Sequence, residues 1–245
     1  MRTAPGKGLR RWPDKVERLW LPQPSAARRT VRREVDQGVE ATTFLGIDVG
    51  TSSVKTAIVD ADLRPLAFER AEHSVNRPRE GWAEVSLEAV WETVKGLVRR
   101  LAAHAPDAVN SVRAAGLSVL SPGLVALAAD GRALTGAIIF MDRRSVAEAE
   151  EIAARIPPEE FFGISGNRLM PGSCSLTSML WIKRNLPEVY ERTRFFGHLN
   201  TFLGRKMTGN FGMDPSNASY TGLFETGGSL SWSSGAVRRA GIDAG

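Results

Sequence analysis

From Thr43 onward the apolar positions fall into short blocks whose period changes along the chain. TFLGID, VKTAIVD and PLAFERAEHSV are separated by Gly, Ser or Asp-Leu-Arg-Pro turn chemistry, so they predict three consecutive strands in an antiparallel meander. The period then lengthens. Leu87, Val90, Trp91, Val94, Leu97, Val98 and Leu101 recur at helical spacing, which predicts an amphipathic helix capped by Ser86, with Glu88 and Glu92 near its positive N-terminal end. VRAAGLSVL predicts a buried strand, LVALAADG a shorter strand ending in a turn, and ALTGAIIF a strand that stops at Met141-Asp142-Arg143-Arg144. SVAEAEEIAARI returns to helical spacing. Two further helices are predicted, LTSMLWIKRN ending at Pro187 and NTFLGRKMTG closed by Gly209, before an aromatic, Gly/Ser-rich segment that runs to Gly245. Trp91 and Trp181 fall on apolar helical faces and are expected in the core. Three strands followed by alternating helix and strand give an α/β fold, a mixed sheet flanked by helices.

Charge changes the picture at one place only. The 245 residues carry a formal net charge of +5, but Met1 to Glu40 holds 10 Lys/Arg against 5 Asp/Glu, and the remaining 22 and 22 balance. Residues 1–42 are therefore expected to be a basic, disordered leader and 43–245 the folded domain. A neutral domain without a basic-aromatic surface pattern gives no support for nucleic-acid binding. The single cysteine, Cys174, excludes an internal disulfide framework, fits a reducing compartment and is expected to be a buried thiol. No apolar run reaches the roughly 18 residues needed to span a bilayer, and no signal-peptide core follows the basic N-terminus, so a cytoplasmic protein without a membrane partner is expected.

Candidate chemistry begins at FLGIDVGTSSVKTAIVD, Phe44 to Asp60. An apolar strand ending in Asp48, followed by Gly50 and the hydroxyl residues Thr51 and Ser52, can bring backbone N–H groups to a phosphate without side-chain obstruction. Asp48 could order a Mg²⁺ ion. On these residues alone a plain hairpin turn is the commoner reading of the segment, since it is neither a Walker A nor a G-x-G-x-x-G loop.

Other segments extend the pattern. DVGTSSVK resembles the D-x-G-T-[ST]-[ST] phosphate loop of the FGGY carbohydrate kinases, a ribonuclease H-like (actin-like ATPase) family. GWAEVSLEAVW is similar to that family's Gly-Trp-x-Glu and helix, GAIIFMDRRS to its strand ending in W-x-D-x-R, and DPSNASYTGLF to D-x-[ST]-[ND]-A-[ST]-x-T-x-L-F. NTFLGRKMTG resembles a helix ending in Leu-Thr-Gly, with Met207 in place of the leucine. The resemblance runs from Phe44 to about Asp243 and implies one lobe of a two-lobed sugar kinase, the N-terminal domain. It implies ATP and Mg²⁺ as cofactors, a sugar or polyol as substrate, Asp48 at the metal, and Gly50, Thr51 and Ser52 at the phosphates.

The same resemblance makes Trp82, Glu84, Asp142, Arg143 and Asn217 candidate substrate residues. Each has a structural alternative: loop anchoring by Trp82 with Glu84 in solvent, an Asp142–Arg143 ion pair closing the strand, and an Asx-type turn at Asp214, Ser216 and Asn217. Lys55 reads as a solvated strand lysine, and His73, His104 and His198 lack a spaced partner for metal or triad chemistry. Val119-Leu120-Ser121-Pro122-Gly123 stands where xylulokinase-like members read Gly-Gln-Met-His-Gly, and Phe140 replaces the strand-end tryptophan. Ser173 falls near the place of an aromatic in glycerol kinases, so neither xylulose nor glycerol is favoured. The family's second domain, which carries the adenosine contacts and the aspartate base, lies beyond the resemblance. The expectation is an N-terminal lobe inactive without that C-terminal domain in cis or trans, with homo-oligomerisation through the exposed face. The alternative is a catalytically inert sugar-binding or regulatory module.

Overall fold

The computed structural model describes residues 42–242, so the reading of the basic leader falls outside the described residues except for its last position. The described chain divides into two compact units. The first comprises residues 42–48, Ser53–Glu72 and Glu92–Ser118; the second comprises Val49–Ser52, His73–Trp91 and residues 119–242.

The three predicted strands are β1 (Thr43–Val49), β2 (Ser53–Asp60) and β3 (Pro65–Glu72). After the long helix α1 (Leu87–His104) and the short α2 (Pro106–Asn110), β5 (Val112–Val119) completes a four-stranded sheet in the order β3-β2-β1-β5. β2 and β3 pair antiparallel from Ser53↔Glu72 to Ile58↔Ala67, with an irregularity between Ile58 and Val59. Alternation along β1 and β2 buries Leu45, Ile47, Val54 and Ile58, and the apolar stripe of α1 buries Val94, Leu97, Val98 and Leu101. Fully burying one such side chain stabilises a fold by about 1.5–3 kcal/mol. β5 departs from expectation: only Val112 is buried, because a strand at the end of the sheet order has one neighbour.

The second unit has its own sheet, in the order β4-β7-β6-β8, formed by β4 (Glu84–Val85), β6 (Gly123–Leu127), β7 (Ala137–Ile139) and β8 (Phe195–His198). The strands are thus shared between two four-stranded sheets. β6 and β7 occupy the middle of theirs and are buried at every position. Around them lie α3 (Val146–Arg155), α4 (Pro158–Ser165), α5 (Leu176–Asn185), α6 (Pro187–Arg192), α7 (Leu199–Thr208), α8 (Pro215–Ser219) and α9 (Ser234–Ala240). α7 ends where the sequence predicts, on Gly209 at φ 78°, the left-handed conformation that glycine adopts without penalty. α8 and α9 form where no helix was expected, each started by a local cap: Asp214 accepts from Asn217 N and Ser233 from Ala236 N. The core of this unit gathers Ile152, Phe161, Cys174, Leu176, Trp181 and Leu223. Cys174 is a buried thiol as expected, and burial raises its pKa to about 11. No helix among the described residues is long and apolar enough to cross a membrane.

Candidate active site

Asp48 lies one residue from the end of β1, on the strand face opposite Ile47 and Val49. β2, the neighbour of β1 in the sheet, places Lys55 beside it, with Nζ 2.9 Å from Asp48 Oδ2 and both side chains half-exposed, at 42% and 44%. Lys55 is therefore the counter-charge of Asp48 rather than a merely solvated lysine. The two line an open cleft of about 500 Å³ with Gly46, Ala57, Phe68 and Gly116, whose small residues leave Asp48 accessible. No cluster of three or more His, Cys, Asp or Glu side chains suited to a metal occurs among the described residues. Mg²⁺ needs no such cluster, since one or two carboxylates hold it while water and substrate phosphates complete its shell. A single accessible aspartate fits that requirement.

The following loop, Gly50-Thr51-Ser52, is braced from the residue after β3. His73 Nε2 lies 2.8 Å from Gly50 O, and because a carbonyl only accepts, the ring donates through Nε2. The backbone N of His73 donates to Ser52 O at 3.0 Å. His73 Nδ1 is buried without a hydrogen-bond partner among the described residues. Two of the loop's carbonyls are thus tied to His73, which belongs to no motif in the sequence.

Arg144 organises the strand-end group. Asp142 is 2% exposed and accepts from Ala83 N at 2.6 Å, from Arg144 N and from the Arg144 guanidinium. The guanidinium, also 2% exposed, reaches Glu84 Oε1 at 2.7 Å and lies over the Trp82 ring at 3.8 Å and the Trp181 ring at 5.0 Å. Trp82 and Trp181 meet edge to face at 5.2 Å. Asp142 therefore pairs with Arg144, not Arg143, which corrects the expected strand-closing ion pair. Arg143 instead donates Nη1 to the carbonyls of Phe140, Asp142 and Pro171. The signal was present, because counting W-x-D-x-R from Phe140 puts its arginine at 144. Glu84 is not in free solvent either; it lines a cleft of about 410 Å³ with Asn76, Ser86, Glu88 and Thr135. Gly172, at φ 76°, packs against this group so closely that a Cβ there would lie 2.0 Å from Phe140 O and 2.3 Å from Arg143 Nη1.

The last predicted residue, Asn217, sits in a polar chain that runs from the exposed Asp214 to the buried His198 and Ser175. Asp214 caps α8 by accepting from Asn217 N at 2.9 Å and Asn217 Nδ2 at 2.8 Å, the turn expected from the sequence. Asn200 Nδ2 also donates to Asp214, at 2.7 Å. Asn217 Oδ1 accepts from Ser121 Oγ at 2.6 Å and lies 3.3 Å from His198 Nδ1. The opposite ring nitrogen, Nε2, is 2.8 Å from Ser175 Oγ. His198 is wholly buried, and desolvation lowers its pKa to about 4 against the support of Asn217 and Asp214.

With this geometry established, the kinship is direct. Residues 43–244 match the FGGY family of carbohydrate kinases, N-terminal domain. The chain belongs to this family. It is 30% identical over 178 residues to a xylulose kinase of Escherichia coli (strain K12), covering 73% of this chain and 36% of that relative. It is 27% identical over 191 residues to a glycerol kinase of Brucella ovis, covering 75% and 38%. Among solved structures, a xyloylose kinase from Brucella ovis superposes with a TM-score of 0.77 at 29% identity, over 83% of this chain and 42% of that one. A xylulose kinase from Rhodospirillum rubrum shares the fold with a TM-score of 0.78 at 22% identity, over 82% and 41%. The FGGY kinases have the actin-like ATPase fold. The chain spans less than half the length of each of these relatives.

Proposed function

We propose that residues 43–244 act as the sugar-binding and first phosphate-loop domain of an ATP-dependent carbohydrate kinase, working with the family's C-terminal domain to transfer the γ-phosphate to a sugar or polyol hydroxyl. The observation that carries this reading is the accessible Asp48, paired with Lys55 among the described residues, at the head of the D-x-G-T-S-S loop. Asp48 would hold Mg²⁺, which when bound offsets the charge on the phosphates. Gly50, Thr51 and Ser52 offer backbone N–H and hydroxyl donors to phosphate oxygens. Glu84 and Asn217 offer polar groups to the sugar. Trp82, Asp142 and Arg143 support that face from behind, since Asp142 is saturated by donors and Trp82 is covered by Arg144. In-line transfer then depends chiefly on positioning and electrostatics.

A coupled assay of sugar-dependent ADP release tests this. The 245-residue chain is expected to show no turnover on its own and to gain turnover when a C-terminal FGGY domain is fused or co-expressed. Asp48→Ala in the assembled kinase should abolish transfer while leaving sugar affinity close to unchanged. Robust turnover by the chain alone, or near-normal turnover by Asp48→Ala, would remove the proposed division of labour.

A further inference from the structure

The polar chain around Asn217 fixes hydrogen positions that a substrate would meet. Asp214 is a carboxylate and only accepts, so the Asn217 terminus 2.8 Å from it is the NH₂ group and the other terminus is the oxygen. That oxygen has two lone pairs. Ser121 Oγ takes one at 2.6 Å, and His198 Nδ1 stands at the other. Were Nδ1 unprotonated, its lone pair would face the lone pair of Oδ1, a repulsive contact with no solvent to relieve it. Nδ1 therefore carries the hydrogen, and Nε2 accepts from Ser175 Oγ–H. A doubly protonated ring is disfavoured because His198 is fully buried.

We infer that Asn217 meets its ligand as a donor only, through the one amide hydrogen left on Nδ2, and that His198 and Ser121 are positioning residues that impose this polarity. The inference rests on the proposal that Asn217 touches the sugar, and it adds the chemistry of the partner atom. That atom must be an acceptor: a carbonyl, ring or carboxylate oxygen, or the lone pair of a hydroxyl whose own hydrogen goes elsewhere. A hydroxyl proton finds nothing to accept it at this residue. The register of the sheet supports the arrangement, because Leu124↔His198 pairing in β6 and β8 anchors His198 while Ser121 lies just ahead of β6. Ser175 N also donates to Tyr220 O at 2.8 Å, which ties the Ser175 end of the chain to the C-terminal end of α8.

Two measurements decide the matter. The chain has three histidines, so long-range ¹H–¹⁵N spectra of the ¹⁵N-histidine-labelled 245-residue protein, with His198→Gln for assignment, identify each tautomer. His198 is expected in the Nδ1–H form, unchanged between pH 8 and about 5; an Nε2–H ring overturns the inference. Calorimetric titration with xylulose, glycerol and gluconate provides the second. Asn217→Asp, which offers only acceptors, should weaken binding about tenfold, the loss of one neutral hydrogen bond at the upper end of its range. Unchanged affinity in Asn217→Asp alongside lost affinity in Glu84→Gln would overturn the donor inference and leave the sugar face standing. Unchanged affinity in both variants would overturn the sugar face itself. If Asn217→Asp fails to fold, the tautomer of the unmodified chain still decides.

Discussion

Asp48 and Asp142 both stand where an apolar strand runs out, and both precede a short polar segment, yet their surroundings are opposite. Asp142 is 2% exposed and receives a backbone N–H from Ala83, another from Arg144, and the Arg144 guanidinium. Asp48 is 44% exposed in its side chain and has one lysine among the described residues. Taking a carboxylate out of water costs several kcal/mol unless donors replace the water, so Asp142 needs its full set. Asp48 never left water and keeps lone pairs for a ligand. A candidate site residue is therefore judged by how many of its acceptor positions the fold has already used: among the described residues those of Asp142 are filled, and Asp48 has Lys55.

Removing Asp142 gives the largest effect. Asp142→Ala leaves the buried Arg144 with Glu84 as its remaining carboxylate and should lower unfolding stability by roughly 3–5 kcal/mol. Urea unfolding monitored by circular dichroism measures it; a loss under about 1 kcal/mol would place Asp142 with Asp48.

A second buried group sharpens the same contrast through pH. His198 has a folded pKa of about 4 against an ordinary value of 6.5. Between those values the unfolded chain takes up a proton that the native form refuses, so stability falls as pH drops from about 6.5 to about 4, by roughly 3 kcal/mol in all. Stability measured at pH 7.5 and pH 4 for the native chain and for His198→Gln isolates this limb. Equal slopes in the two proteins would show that His198 titrates normally.

The smallest stability effect belongs to the exposed pair. Asp48→Ala and Lys55→Ala should each change unfolding stability by no more than roughly 0.5–1 kcal/mol, and the change should shrink in high salt. Thermal melts at low and high ionic strength read it out. A loss on the scale of Asp142→Ala would erase the distinction between the two aspartates.

Local pattern made most of this fold legible. Periodicity placed α1 from Leu87 to His104, and Gly209 marked the end of α7, because these features are written within a few residues of each other. The loop at Asp48, the strand end at Asp142 and the Asx turn at Asp214 were equally local. What escaped lies in contacts between distant positions. Ser121 meets Asn217 across 96 residues, Glu84 meets Arg144 across 60, and Ser175 meets His198 across 23. No composition or spacing brings those partners together, so His198 looked isolated and Glu84, a candidate substrate residue, kept a solvent position as its alternative. The β5 strand misled for a related reason, since VRAAGLSVL is apolar enough for the interior but the sheet order leaves it at an edge.

Gly172 carries a consequence best expressed as information rather than energy. Suppose positions 166 and 172 were both randomised and the library selected for folded protein. At 166 the backbone is left-handed at φ 70° with open space around it, so glycine should be enriched but asparagine and aspartate should survive. At 172 the backbone is left-handed at φ 76° and the carbonyl of Phe140 occupies the volume of any Cβ. Only one of the twenty letters satisfies both conditions, so position 172 should return glycine almost alone. Two glycines that look alike in the sequence thus differ in what they permit, a few letters at 166 and one at 172, and the tighter one abuts the Phe140 carbonyl that Arg143 also holds.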